Sequence, residues 1–210
     1  MKLTFLGTGT SFGVPVIGCD CRACTSDDPR DRRTRHGAVL EIDGARLLID
    51  TPPELRLQLL ANGIKHIDAI WFTHTHADHV HGIDDLRVFT VRKGDIPAFV
   101  PAEYSAHISR YFSYIFDDEV LPPQGSSKPR LRLQEFRAGE LVEIFGRGFL
   151  PLVAPHGLVS VYGFRVGGLG YITDAKTLPQ AAVAALDGVE VLVLNALWFG
   201  RPHPAHFNVE

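Results

Sequence analysis

The stretch DAIWFTHTHADHVHG, residues 68–82, constrains this chain more than any other. Its opening is an apolar run that predicts a buried strand over 68–73. Positions 73–82 then carry four histidines and an aspartate. Packing offers no reason for such a density of ionisable side chains directly after a core strand. A strand that empties into a loop is where a rigid sheet positions ligands. His74 and His76 are one residue apart, so on an extended or turning backbone both rings face one side and can share one ion. Asp78 and His79, just beyond, can serve a neighbouring ion. Neutral imidazole with carboxylate suits zinc, manganese or iron.

A second metal signal lies upstream. Cys19, Cys21 and Cys24 are the chain's three cysteines, and they fall within six residues. An odd, tightly spaced set argues against a disulfide framework and for reduced thiolates facing one ion. The amino terminus breaks its apolar run with glycine after six residues, so it lacks the core of a signal peptide, and no later segment approaches a membrane span. A cytoplasmic protein with no membrane partner is the expectation. A net charge of −3 gives no broad basic field for nucleic acid or an anionic bilayer. Any phosphate it meets must be recognised locally.

With 210 residues, 45% of them hydrophobic, the chain fits one globular domain spanning 1–210, with a cysteine-containing loop at 18–35. Short strands are predicted at 2–6, 38–42 and 46–49, the last two joined by the hairpin turn Asp43-Gly44. Thr51 is placed to cap a helix that starts at Pro52-Pro53 and ends at Asn62-Gly63. An aromatic-rich helix is predicted over 103–116. Strands follow near 131–136, 141–145, 148–153, 160–166 and 169–173, then a helix near 179–186 and an apolar run at 189–197. Two strand-rich halves, each followed by helix, suggest an α/β (α+β) protein built as a four-layer αββα sandwich. Periodicity alone also allows one mixed α/β sheet.

At this point the residues resemble a known family. H-x-H-x-D-H after a hydrophobic strand looks like the signature of the metallo-β-lactamase fold hydrolases. FLGTGTSFGVP (5–15) resembles that family's glycine-rich first turn, LLIDTPPELR (47–56) its strand ending in a supporting aspartate, APHG (154–157) its third histidine and YITDAK (171–176) its bridging aspartate. The resemblance implies that His74, His76 and His156 hold one metal, that Asp78 and His79 hold another, and that Asp174 bridges both. Asp50 would hydrogen bond to the histidine loop without binding metal. His81 is expected to support the site or line a pocket, and His36 to be structural.

GCDCRACTSDDPRDRRTR (18–35) and HGIDDLR (81–87) are similar to segments of the PhnP-like subgroup, phosphodiesterases of the carbon-phosphorus lyase pathway that cleave a ribosyl cyclic phosphate. That resemblance implies a structural zinc on Cys19, Cys21 and Cys24, beside two divalent ions, zinc or manganese, in the active site. It also implies a homodimer. In RPHPAHFN (201–208) a histidine would face the substrate phosphate; His206 is the expected general acid, with His203 as alternative. The family continues beyond this loop with a helix and a final strand that supply two more histidines, whereas this sequence stops at HFNVE.

The expected activity is that of a binuclear metal-dependent phosphodiesterase, with Asp78 and His206 as catalytic residues and a small cyclic phosphate as substrate. An RNA 3′-end processing ribonuclease is the alternative, disfavoured because the chain carries no long basic arm, so nucleic acid is not the expected partner. A catalytically silent metal-binding module is the reading from another class.

Overall fold

The computed structural model describes residues 1–209. They divide into two compact units, one of residues 1–99 and 105–134, the other of 100–104 and 135–209. Each carries a β-sheet.

The first sheet has six strands in sequence order: β1 (Lys2–Gly7), β2 (Gly37–Ile42), β3 (Ala45–Ile49), β4 (Ala69–Trp71), β5 (Ile96–Pro101) and β6 (Leu131–Phe136). Strands β1 to β3 form an antiparallel meander, and Asp43 and Gly44 take positive φ (50° and 87°) at the hairpin tip, as a two-residue turn of this type requires. From β3 onward the pairing becomes parallel, with Ile49 opposite Trp71 and Trp71 opposite Phe99. A parallel interior strand is covered on both faces, which explains why AIW is apolar without alternation and fully buried. Parallel pairing also brings the carboxyl ends of β3 and β4 side by side. Asp50 N–H donates to the Trp71 carbonyl at 2.9 Å, so the residues that follow the two strands leave the sheet together.

Four local features differ from the sequence reading. Helix α1 (Leu55–Ala61) has Glu54 at its N-cap and no side-chain cap; Thr51, expected to cap it, instead donates its hydroxyl to the carbonyls of Val80 (3.1 Å) and His79 (3.4 Å). Residues preceding proline are disfavoured from helical backbone, so Pro52-Pro53 delays the helix to Leu55. The histidine segment is loop only in its first half, because Ala77–Val80 forms a short helix, α2. The expected helix over 103–116 is two, α4 (Ala102–Tyr111) and α5 (Ser113–Phe116), broken at Phe112, where φ is −114° and ψ is 43°. Upstream of α4, helix α3 (Arg87–Lys93) and β5 were also not predicted, since seven residues give little helical periodicity and Pro97 and Pro101 mask a strand pattern.

The second unit holds a five-stranded sheet in the order β11-β10-β9-β8-β7, made of β7 (Val142–Ile144), β8 (Arg147–His156), β9 (Val159–Val166), β10 (Leu169–Ile172) and β11 (Val191–Leu194). Helix α6 (Gln180–Ala185) links β10 to β11, which are parallel. Strands β8 and β10 are each antiparallel to β9, so both run the same way and end at one edge of the sheet. His156 closes β8, and Thr173-Asp174 follow β10 at that edge. Leu152, Ala154, Val161, Ile172, Ala175 and Leu186 form a core beneath, with Phe207 packed against it. Among the described residues no helix is long and apolar enough to cross a membrane.

Candidate metal centre

In the first unit the donor side chains are organised around Asp50. This carboxylate is fully buried and has φ of 60°, a left-handed backbone uncommon outside glycine. Its Oδ1 accepts the Thr73 N–H (2.8 Å), and its Oδ2 accepts from the Thr73 hydroxyl (2.8 Å) and His79 Nδ1 (2.7 Å), with His36 Nδ1 at 3.4 Å. Burial pushes the Asp50 pKa up. The His79 charge and the hydrogen bonds from His36 and His79 outweigh it and hold the carboxyl well below the usual carboxylate range. Because an ionised carboxylate only accepts, His79 keeps a proton on Nδ1, and when the ring is neutral its Nε2 carries the lone pair. That Nε2 lies 3.5 Å from Asp78 Oδ2, a nitrogen–oxygen pair of the kind expected for one ion.

His74 and His76 converge more closely. His74 Nε2 and His76 Nδ1 are 3.0 Å apart, and the two rings meet edge to face with centroids separated by 4.6 Å. Two imidazole nitrogens at ordinary zinc distances in a tetrahedral shell are roughly 3.3 Å apart, so this pair fits a shared cation with little movement. His74 is buried and His76 exposed, which leaves the pair accessible from one side. The backbone is tied into this arrangement by reciprocal bonds, from Thr51 N–H to the His79 carbonyl (2.7 Å) and from Gly82 N–H to the Thr51 carbonyl (2.8 Å).

The cysteine loop supplies a separate donor group. The Sγ atoms of Cys19, Cys21 and Cys24 all lie within 4.8 Å of one another, and Val16 N–H donates to Cys24 Sγ at 3.3 Å. Hydrogen bonds, first from the Cys24 backbone and then from the Cys19 and Cys24 side chains, bring the exposed Cys21 thiol down to about 7. Thiolates around a tetrahedral zinc stand roughly 3.8 Å apart, so the loop is suited to one such ion.

In the second unit, His156, Asp174 and His206 offer ligand atoms within 4.8 Å of one another. Asp174, like Asp50, has positive φ (56°), and its Oδ2 accepts from the Thr173 hydroxyl at 3.1 Å. His156 Nδ1 faces the Ala205 carbonyl at 3.0 Å; a carbonyl only accepts, so this ring is protonated at Nδ1 and presents Nε2. His206 Nδ1 lies 3.3 Å from Asp174 Oδ1. The loop that carries it is anchored by Phe207 N–H to the Ala175 carbonyl (2.8 Å) and Leu197 N–H to the Phe207 carbonyl (2.9 Å). The His203 ring lies behind His206, with centroids 4.8 Å apart. It accepts the Ala205 N–H at Nδ1 (3.2 Å) and packs edge-on against Trp198.

Two histidines outside the expected ligand set also find places. The His36 ring stacks on His79 at 5.2 Å beside Asp50, a supporting position that its sequence context alone did not reveal. His81 follows α2 and is exposed, with its ring edge-on to Phe112. Sequence reasoning missed Thr73 and Thr51. The only hint was their place just after β3 and β4, each next to a metal-type residue, Asp50 or His74.

The comparisons with known proteins agree with this chemistry. Residues 45–210 match the model of the beta-lactamase superfamily domain. The chain belongs to the beta-lactamase superfamily. Within that superfamily it is similar to a solved diphosphatase of the PhnP family, with 38% identity and a TM-score of 0.87 over 99% of this chain and 77% of the other. The resemblance to the PhnP-like subgroup and the expected fold class both hold. Among characterised sequences, an octanoyltransferase of Porphyromonas gingivalis is 33% identical over all of this chain and 42% of its own length. A ribonuclease Z of Anoxybacillus flavithermus is 32% identical over 79% of this chain and 48% of its own length. The chain thus spans less than half of either relative.

Proposed function

We propose that this beta-lactamase superfamily chain is a metal-dependent hydrolase that cleaves a small phosphodiester, with a cyclic ribosyl or nucleotide-like phosphate as its substrate, and works in the cytoplasm. The observation that carries the reading is the likeness to a PhnP-family diphosphatase along 99% of this chain, together with histidines whose Nδ1 atoms are engaged by their neighbours. Under this reading His74, His76 and His156 would hold one divalent ion, zinc or manganese, Asp78 and His79 would hold a second, and Asp174 would contribute to both. Bound cations supply Lewis acidity toward the phosphoryl oxygens and the attacking water.

The chain's own residues do the rest. Asp50 and the Ala205 carbonyl hold imidazoles so that their lone pairs, rather than their protons, meet the cations. His206 protonates the leaving oxygen, its ring steadied by the Asp174 carboxylate 3.3 Å away. An alkoxide leaving group needs that proton and p-nitrophenolate does not.

The test compares 2′,3′-cyclic nucleotides with bis(p-nitrophenyl) phosphate. His206→Ala is expected to lower kcat on the cyclic substrate by about 10²–10⁴-fold while sparing most turnover of the nitrophenyl ester. Asp78→Ala should abolish both and reduce bound metal. Metal-replete protein that turns over neither substrate would exclude the phosphodiesterase reading. The ribonuclease Z likeness supports a second reading, an RNA 3′-end nuclease, and cleavage of a precursor tRNA in preference to cyclic nucleotides would favour it. The octanoyltransferase is matched over 42% of its own length.

A further inference from the structure

We propose that Thr73 is a positioning residue whose hydroxyl, held by Asp50, fixes His74 as the Nδ1–H tautomer and so reserves His74 Nε2 for a divalent cation. The inference rests on the metal-binding part of the reading above and deepens it. Thr73 is fully buried, and its Oγ1 stands between two partners, 2.8 Å from Asp50 Oδ2 and 2.9 Å from His74 Nδ1. A hydroxyl has one proton to give.

The direction of that proton follows from Asp50. Asp50 is ringed by donors, the Thr73 N–H on Oδ1 and His79 Nδ1 on the same Oδ2, with His36 Nδ1 nearby, and so takes the part of acceptor at every contact. The Thr73 hydroxyl must therefore donate to Asp50. Its oxygen is left to accept, and the atom that donates is His74 Nδ1. The reverse assignment would set two oxygen lone pairs against each other at 2.8 Å in a site without exposed surface, which burial penalises heavily. One carboxylate thereby sets two rings, His79 directly and His74 through Thr73.

A consequence reaches His76. With His74 Nε2 bearing a lone pair, the 3.0 Å contact to His76 Nδ1 requires the metal-free chain to place a proton on that nitrogen. Cation binding then moves this proton to His76 Nε2 through solvent, since His76 is exposed. The His74 tautomer does not change. The pair is asymmetric: one ring is preset and the other adapts.

Long-range ¹H–¹⁵N correlation of the imidazole nitrogens, recorded on the 210-residue chain after chelation and again with Zn²⁺, reads these tautomers directly. The expected result is His74 as Nδ1–H in both states, and His76 switching from Nδ1–H to Nε2–H on zinc addition. Thr73→Val should release His74 into a mixture of tautomers and weaken zinc binding about 10–100-fold, whereas Thr73→Ser should retain both properties. A wild-type His74 that is protonated at Nε2 without metal overturns the proposal, as does a Thr73→Val variant with unchanged tautomer and affinity. Should Thr73→Val not fold, the wild-type spectrum still decides. The measurement needs no substrate. Correct tautomers in a protein without phosphodiester turnover would sink the activity reading and leave this one standing.

Discussion

Asp50 is the residue on which the first donor group depends. It accepts the Thr73 backbone N–H, the Thr73 hydroxyl and His79 Nδ1 from a position with no solvent exposure. Replacing it with alanine strands those donors and is expected to cost roughly 3–5 kcal/mol in urea unfolding, the range for breaking a buried charged network. The pH dependence has a definite sign. Because its folded pKa lies below the ordinary carboxylate value, Asp50 contributes stability that is complete above about pH 4 and is lost as pH falls below that toward the folded pKa. Asp50→Asn should flatten the fall in stability over that acid window. An unchanged acid profile in Asp50→Asn would mean that another group governs it. A supporting role for Asp50 was legible from its place at the end of LLID. Its partners Thr73 and His36 were not, because nothing in the sequence says which side chains 14 to 23 residues away will meet a given carboxylate.

Helices and strands decide where these residues meet. The parallel pairing of β3 with β4 sets Asp50 beside Thr73, and the clasp of Thr51 on His79 and Gly82 sets α2 against the same strand ends. Gly82 shows how tight that clasp is. A Cβ built there would fall 2.0 Å from the Pro52 carbonyl oxygen and 3.0 Å from Leu55 Cβ. Gly82→Ala is therefore expected to destabilise the chain by about 2–3 kcal/mol, in the range of overpacking, and to displace α2 with Asp78 and His79. Thermal unfolding and bound zinc, measured together, check this: both should fall. A variant with normal stability and full metal content would show that the segment shifts without consequence. Strand positions other than β5 were legible because apolar runs and turn residues mark them. Helix α2 was not, since four residues carry no periodicity.

For the whole molecule, metal binding and folding are linked. If the donor groups bind zinc only when folded, free zinc at 100 times its dissociation constant adds about 2.7 kcal/mol of stability. In a chain of this length that corresponds to an upward shift in Tm of roughly 5–10 °C, reversed by chelator. A Tm indifferent to zinc and chelator would contradict the metal-binding reading. The sequence by itself determined the chemistry available: a histidine-aspartate cluster behind a core strand, a three-cysteine loop, and most of the strands. These are written locally, in spacing and in runs of apolar residues. Only tertiary structure decided how that chemistry is set. It turned Thr51 from helix cap to loop clasp, singled out His206 over His203 beside Asp174, and gave each buried imidazole a partner that fixes its proton. The physical reason is that a proton's place on a ring depends on which acceptor lies within about 3 Å of it. That acceptor is delivered by strand pairing and by turns distant in sequence.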